Sequence, residues 1–174
     1  QIVMTIREVA EIPVDTRRSG IRAITVEDIR WGRCDAKTVQ LLPNTLAKQK
    51  ALNAGAQDAI LVSAEGVVRE GTSSNLFMAK NGELWTHPLT EEILPGITRQ
   101  AILTFCQEEA ITVHEDYFRK AELMAADEVF LTGTVTEVLP IVDVDGQVIG
   151  TGKPGPLAEK LQKRLRASAG GDHH

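Results

Sequence analysis

The pair Asn81-Gly82 constrains this chain more than any other feature, because it separates two short β-forming runs, Asn75 to Ala79 and Glu83 to Thr86. Both residues tolerate positive φ, which a tight two-residue hairpin turn demands, so the two runs are expected to pair antiparallel. Asp145-Gly146 repeats the signal between Val138 to Val144 and Gln147 to Ile149. A third hairpin is expected from Ala59 to Ser63 and Val67 to Arg69, around Ala64-Glu65-Gly66. Pro140 has no N–H to give to a ladder, so its strand is expected at an edge or a bulge.

Helical periodicity fills the intervals. Pro43 suits a first helical turn, Leu42, Leu46, Ala47 and Ala51 recur at helical spacing, and Gly55 can close the helix in a left-handed conformation. Thr98 to Glu109 carries Ala101, Ile102, Phe105 and Cys106 on one face; Lys120 to Ala125 reads as a short helix, and Leu157, Leu161 and Leu165 mark a closing one. Further strands are expected at Gly20 to Trp31, Val113 to Phe118 and Val129 to Thr132, and the opening Gln1 to Ile6 also reads as a strand. The result is an α+β chain whose 174 residues, 43% apolar, suit one core.

Composition narrows the partners. A net charge of −5 with no basic run offers no footprint for a nucleic-acid backbone. No stretch approaches the roughly 20 apolar residues of a membrane helix, and no leader peptide is visible, so no membrane partner and a cytoplasmic location are expected. Cys34 and Cys106 have no paired spacing, and His87 and His114 stand alone, so no metal is expected. The closing Gly170-Gly171-Asp172-His173-His174 resembles a truncated affinity tag, and residues 169–174 are read as a tag or disordered tail.

Familiar catalytic signatures fail. Gly71-Thr72-Ser73-Ser74-Asn75 ends in Asn and belongs to a hairpin, unlike the strand-to-helix turn of a serine nucleophile. Gly152-Lys153 is followed by Pro154 where a phosphate loop needs Ser or Thr. What remains is a series in fixed order: Asp28-Ile29-Arg30-Trp31, Cys34-Asp35-Ala36-Lys37, Leu46-Ala47-Lys48-Gln49-Lys50-Ala51, Glu70-Gly71-Thr72-Ser73-Ser74-Asn75, Leu94-Pro95-Gly96-Ile97-Thr98-Arg99 and Thr132-Gly133-Thr134.

Together these segments resemble the class IV aminotransferases that depend on pyridoxal 5′-phosphate, and within them the D-amino-acid branch. The resemblance runs from about Gly20 to Ala167. It implies the C-terminal, cofactor-binding domain of fold type IV over residues 1–168, a mixed β pseudo-barrel surrounded by helices, with no counterpart here of the family's smaller N-terminal domain. It implies a homodimer, and transamination between a D-amino acid such as D-alanine or D-glutamate and a 2-oxo acid.

The same resemblance implies the roles. Lys37 carries the cofactor as a Schiff base and shuttles a proton, which requires a neutral amine and hence partial burial or nearby positive charge. Glu70 keeps the pyridine nitrogen protonated, so the ring can act as an electron sink. The hydroxyls and amide of Thr72, Ser73, Ser74 and Asn75 orient Glu70 and the ring substituents. The phosphate sits at Gly96, Ile97 and Thr98, where a helix begins with unpaired N–H groups, and at Gly133 and Thr134. Leu94 packs on the ring face. Arg30 is assigned either to the layer behind these groups or to solvent. Three alternatives stay open: a branched-chain L-aminotransferase, an aminodeoxychorismate lyase, and a non-catalytic domain that retains the fold.

Overall fold

The computed structural model describes residues 3–6, 8, 9 and 11–170. The tag-like end, residues 171–174, lies outside them. Among the described residues nine strands form one sheet: β1 (Ile21–Glu27), β2 (Asp58–Val62), β3 (Val68–Gly71), β4 (Asn75–Lys80), β5 (Glu83–Thr86), β6 (Val113–Glu115), β7 (Glu128–Gly133), β8 (Glu137–Val144) and β9 (Gln147–Val148). The helices are α1 (Val14–Ser19), α2 (Leu42–Asn53), α3 (Ile97–Glu108), α4 (Lys120–Met124) and α5 (Pro156–Ser168).

Six strands, in the order β3-β2-β1-β8-β7-β4, close into a ring because β3 also pairs with β4. Closure rests on one antiparallel residue pair, Glu70 opposite Asn75. The pairings β1–β2 and β1–β8 are parallel and the others in the ring antiparallel, so the barrel is mixed. β5 and β6 extend outward from β4, and β9 from β8.

Alternation along the ring strands sorts their side chains into separate cores. Ile60 and Val62, Leu76 and Met78, and Val129 and Leu131 join Ile21, Val68 and Ile141 in a cluster to which all six ring strands contribute, so it fills the barrel interior. The intervening Phe77, Ala79 and Phe130 face outward and pack against Ile102, Phe105 and Cys106 of α3 and Ala158 and Leu161 of α5. Phe77 and Phe130 stack with ring centroids 5.4 Å apart. A third cluster seats α2 on β1 and β2 through Ala47, Ala51, Ala59 and Leu61. Strands buried on both faces explain the continuous apolar runs that β2, β4 and β7 show.

The helix α5 is held by the sheet rather than by a cap of its own. Glu128, buried at the start of β7, accepts hydrogen bonds from Leu157 N and Ala158 N at 3.1 and 2.9 Å. A carboxylate there meets the positive end of the helix and satisfies two of its free N–H groups.

Both tight hairpins form as expected, with Asn81-Gly82 at φ 53° and 82° and Asp145-Gly146 at 54° and 80°. Three expectations are corrected. The described residues before Pro13 form no strand, and the chain enters through α1, which starts after Pro13 fixes the backbone. β1 stops at Glu27, because the Asp28 side chain caps a turn by accepting from Arg30 N at 3.0 Å. β6 is shorter than expected, ending at Glu115 and not at Phe118. Pro140 lies in an interior strand, between β7 and β1, and at a bulge, one of the two places expected for it: the register with β1 begins only at Ile141 and then skips a residue, Ile21 pairing with Ile141 and Arg22 with Asp143.

Candidate functional site

The ring closes on a polar cluster. Glu70 is 5% exposed, and each of its carboxylate oxygens is engaged. Oε1 receives Arg30 Nη1 in an ion pair, Oε2 accepts from Asn75 Nδ2 at 2.9 Å, and Leu94 N reaches both at 3.3 to 3.4 Å. Asn75 Nδ2 also donates to Leu94 O at 2.8 Å, so one amide clamps the 94 segment to Glu70. Burial pushes the Glu70 carboxyl up to about 7, against the pull of Arg30 and the Leu94 N–H.

Behind Glu70 lies a chain of charges. Arg30 gives Nε and Nη2 to the two oxygens of Asp28 at 2.9 and 2.8 Å, and Nη2 also reaches Glu92 O at 3.0 Å. Arg69 Nη1 adds a bond to Asp28 Oδ2 at 2.8 Å, and its Nη2 pairs with Glu92. Glu92 Oε2 in turn lies 3.3 Å from His87 Nε2. Burial works against an ionised Asp28, but the bonds from Arg30 and Arg69 outweigh it and hold this carboxyl below its usual range. Burial likewise opposes the Arg30 charge and is overcome by Asp28 and Glu70, so Arg30 is raised. Of the two readings left open for Arg30, the buried one is correct.

The two expected phosphate segments meet the same turn. Gly96 precedes α3, whose first N–H groups have no acceptor within the helix, and a methyl on Gly96 would overlap Asn75 Oδ1. Gly133 ends β7, where an added Cβ would lie 3.6 Å from the Ser74 Cβ and 3.4 Å from Thr136 Oγ1. Thr98 is buried, Ile97 is 76% exposed, and Thr134 lies exposed in the turn after β7. Ser74 Oγ and Thr132 Oγ1 are buried without a hydrogen-bond partner. Thr132 is the register partner of Asn75, so two unsatisfied hydroxyls lie beside the closure pair.

The hydroxyls of the 72–74 turn do not orient Glu70 as expected. Thr72 Oγ1 donates to Asp58 Oδ1 at 2.6 Å, Ser73 is exposed, and Ser74 has no partner, which leaves the amide of Asn75 alone in that role. Leu94 is half-buried and contributes its backbone to Glu70.

Lys37 departs furthest from expectation. It lies in the loop between β1 and α2, exposed, and makes no ion pair or hydrogen bond among the described residues, where partial burial was expected. The loop has no layer over it: Trp31, Val39 and Leu41 are exposed as well. Its two ends are nonetheless tied to the neighbourhood of Glu70. Cys34 N donates to Glu91 O at 2.7 Å, and Asn44 Nδ2 donates to Thr72 O at 2.8 Å. Lys37 is therefore strung between an anchor on the 91–94 segment and an anchor on the turn that follows Glu70.

Asp28, Arg69 and Glu92 were not assigned roles from sequence. Asp28-x-Arg30 was a signal, since an Asp side chain accepts readily from the backbone N–H two residues on and the turn so made brings the two charges together.

The family model for amino-transferase class IV matches residues 1–144. The chain belongs to the class IV aminotransferases. D-alanine aminotransferase of Bacillus licheniformis is 47% identical over 156 residues, which cover 90% of this chain and 55% of that protein. D-alanine aminotransferase of Staphylococcus haemolyticus is 43% identical over 162 residues, 93% of this chain and 57% of that protein. The chain thus spans a little over half the length of these relatives. Among solved structures, a T.th. branched-chain amino acid aminotransferase with pyridoxamine 5′-phosphate superposes with a TM-score of 0.86 at 32% identity, covering 94% of this chain and 55% of that one. The same enzyme complexed with N-(5′-phosphopyridoxyl)-L-glutamate gives 0.84 at 34%, covering 89% and 54%. These class IV neighbours bear out the fold expected from the resemblance, a mixed barrel with helices around it. Among the described residues no helix is long and apolar enough to cross a membrane.

Proposed function

We propose that this class IV aminotransferase chain carries pyridoxal 5′-phosphate and that the protein exchanges the amino group of a D-amino acid, D-alanine or D-glutamate, for the oxo group of a 2-oxo acid. The observation that carries the reading is the buried Glu70 carboxylate, held by Arg30, Asn75 and Leu94 beside two glycine-opened segments and two unpartnered hydroxyls. That donor set fits the group: an anion for a cationic ring nitrogen, and free N–H groups with hydroxyls for a phosphate.

Bound, pyridoxal phosphate supplies a carbonyl that condenses with amines and a ring that takes up the electron pair released at the substrate's α-carbon. Glu70 holds the proton at the ring nitrogen, which is what gives the ring that capacity. Gly96, Ile97 and Thr98 at the start of α3, with Gly133 and Thr134, bind the phosphate; Ser73 and Ser74 contribute hydroxyls, and Leu94 borders the ring. Lys37 Nζ would be the amine that holds the cofactor covalently, and, as a free amine, the group that would carry a proton to and from the substrate's α-carbon. Two copies of the full-length protein form the working unit.

The test is to add pyridoxal phosphate to the chain, record the visible band of a lysine-bound cofactor, reduce the adduct and locate it by peptide mass. Attachment at Lys37 is expected; attachment at another lysine, or no band at all, sinks the reading. Loss of the band on adding D-alanine but not L-alanine tests the D-preference. A second reading, a branched-chain L-aminotransferase, draws on the solved neighbours at 32 to 34% identity. The 43 to 47% identity to D-alanine aminotransferases favours the first.

A further inference from the structure

Asp28 has no exposed side-chain surface and bonds to none of the residues proposed to hold cofactor or substrate. Its carboxylate receives four hydrogen bonds instead, three from Arg30 (N, Nε and Nη2) and one from Arg69 Nη1. A guanidinium is a rigid planar fork, so fixing Nε and Nη2 on one carboxylate determines where Nη1 points. In this molecule it points at Glu70 Oε1.

We infer that Asp28 is a positioning residue for Glu70, acting through Arg30 to set the direction and the charge of the carboxylate that closes the barrel. The charge balance supports this. Asp28, Glu70 and Glu92 face Arg30 and Arg69 across the cluster, three carboxylates against two guanidiniums. With all three ionised, one negative charge is in excess. Arg69 is committed to Asp28 and Glu92, and Arg30 is divided between Asp28 and Glu70, so the incompletely neutralised carboxylate is Glu70. The remaining titratable neighbours are His87, on Glu92, and the buried thiol of Cys34. An excess anion aimed at one place is complementary to a cation arriving there. Only the identity of that cation, the ring nitrogen, rests on the cofactor reading above.

The test reads Glu70 directly, by ¹³C NMR titration of side-chain carboxyls in the cofactor-free chain. Asp28→Asn releases Arg30 to Glu70, and the Glu70 midpoint is expected to fall by about one pH unit. Arg69→Gln leaves Asp28 to draw more on Arg30, and the midpoint is expected to rise. Arg69 is partly exposed, so this variant decides the matter if Asp28→Asn does not fold. In an Arg30→Lys background, with no planar fork between the carboxylates, the Asp28→Asn shift is expected to shrink to less than half. A Glu70 midpoint that stays put or moves in the opposite sense, or an Asp28→Asn shift undiminished in the Arg30→Lys background, overturns the inference. A merely structural Asp28 lowers the melting temperature and leaves the midpoint alone. Because no cofactor is needed, shifts without pyridoxal phosphate binding sink the function and spare the positioning role; binding without shifts does the reverse.

Discussion

The two halves of the candidate site are built on opposite principles. Around Glu70 the groups are buried and cross-linked, with side chains from the turn after β1, from β3 and from β4 bonded to one another and to the backbone of the 92–94 segment. Around Lys37 the loop is exposed, tied to its surroundings by Arg33 and Cys34 on Glu91 and by Asn44 on Thr72. The difference teaches which half the barrel itself organises: the Glu70 carboxylate is built into the sheet closure, while the amine proposed to hold the cofactor sits on an exposed loop outside it.

The sharpest way to break this contrast is Lys37→Ala. The visible cofactor band is expected to disappear and any transamination to fall by at least about 10³-fold, while the cofactor-free chain unfolds at an unchanged denaturant concentration. A loss of fold stability comparable to that of a core residue would mean the loop is not the open half described.

Glu70→Gln comes next, read as stability against pH. Burial raises the Glu70 carboxyl from 4.5 to about 7, so across that window the folded chain holds more protons on Glu70 than the unfolded chain does. Stability from this group is full below 4.5 and is lost as pH rises through about 7. At roughly 1.4 kcal/mol per pH unit, the parent is expected to lose about 3 kcal/mol relative to the Gln variant between those limits. Parallel curves in urea titrations at pH 4.5 and 8 would rule out a neutral-preferring Glu70.

Asn75→Ala leaves Glu70 Oε2 and Leu94 O without their shared donor and is expected to cost about 1–3 kcal/mol, measured by the same denaturation. Gly96→Ala forces Asn75 aside and is expected to cost a similar ~1–3 kcal/mol through overpacking. The smallest effect belongs to the open half. Val39, 95% exposed, is expected to accept Ser within about 0.5 kcal/mol.

Legibility in the sequence followed the range of the interactions. Asn81-Gly82 and Asp145-Gly146 turn where they were expected to because the requirement for positive φ is met by the two residues themselves. Helices α3 and α5 were legible from a single apolar face each. Glu70 was named from its motif, but its burial depends on Arg30, 40 residues away, and on Leu94, 24 residues away. Asp28 was quoted without a role for the same reason: its second arginine, Arg69, lies 41 residues on. Pro140 pointed to an edge or a bulge, and of the two the bulge is found, because β8 is an interior strand whose ladder with β1 shifts register just after the proline. Lys37 was expected to be sheltered, and shelter is a property of whatever lies over a loop, which local composition does not encode.

Glu70 and Asn75 are both the last rung that turns six strands into a ring and the pair on which the proposed chemistry leans. Architecture and reactivity therefore share an address. A descendant that abandoned the reaction would still need the backbone pairing at these two positions to keep the ring shut, but not the acid itself, so an acid retained here beside a lysine equivalent to Lys37 testifies to the chemistry and not to the fold alone.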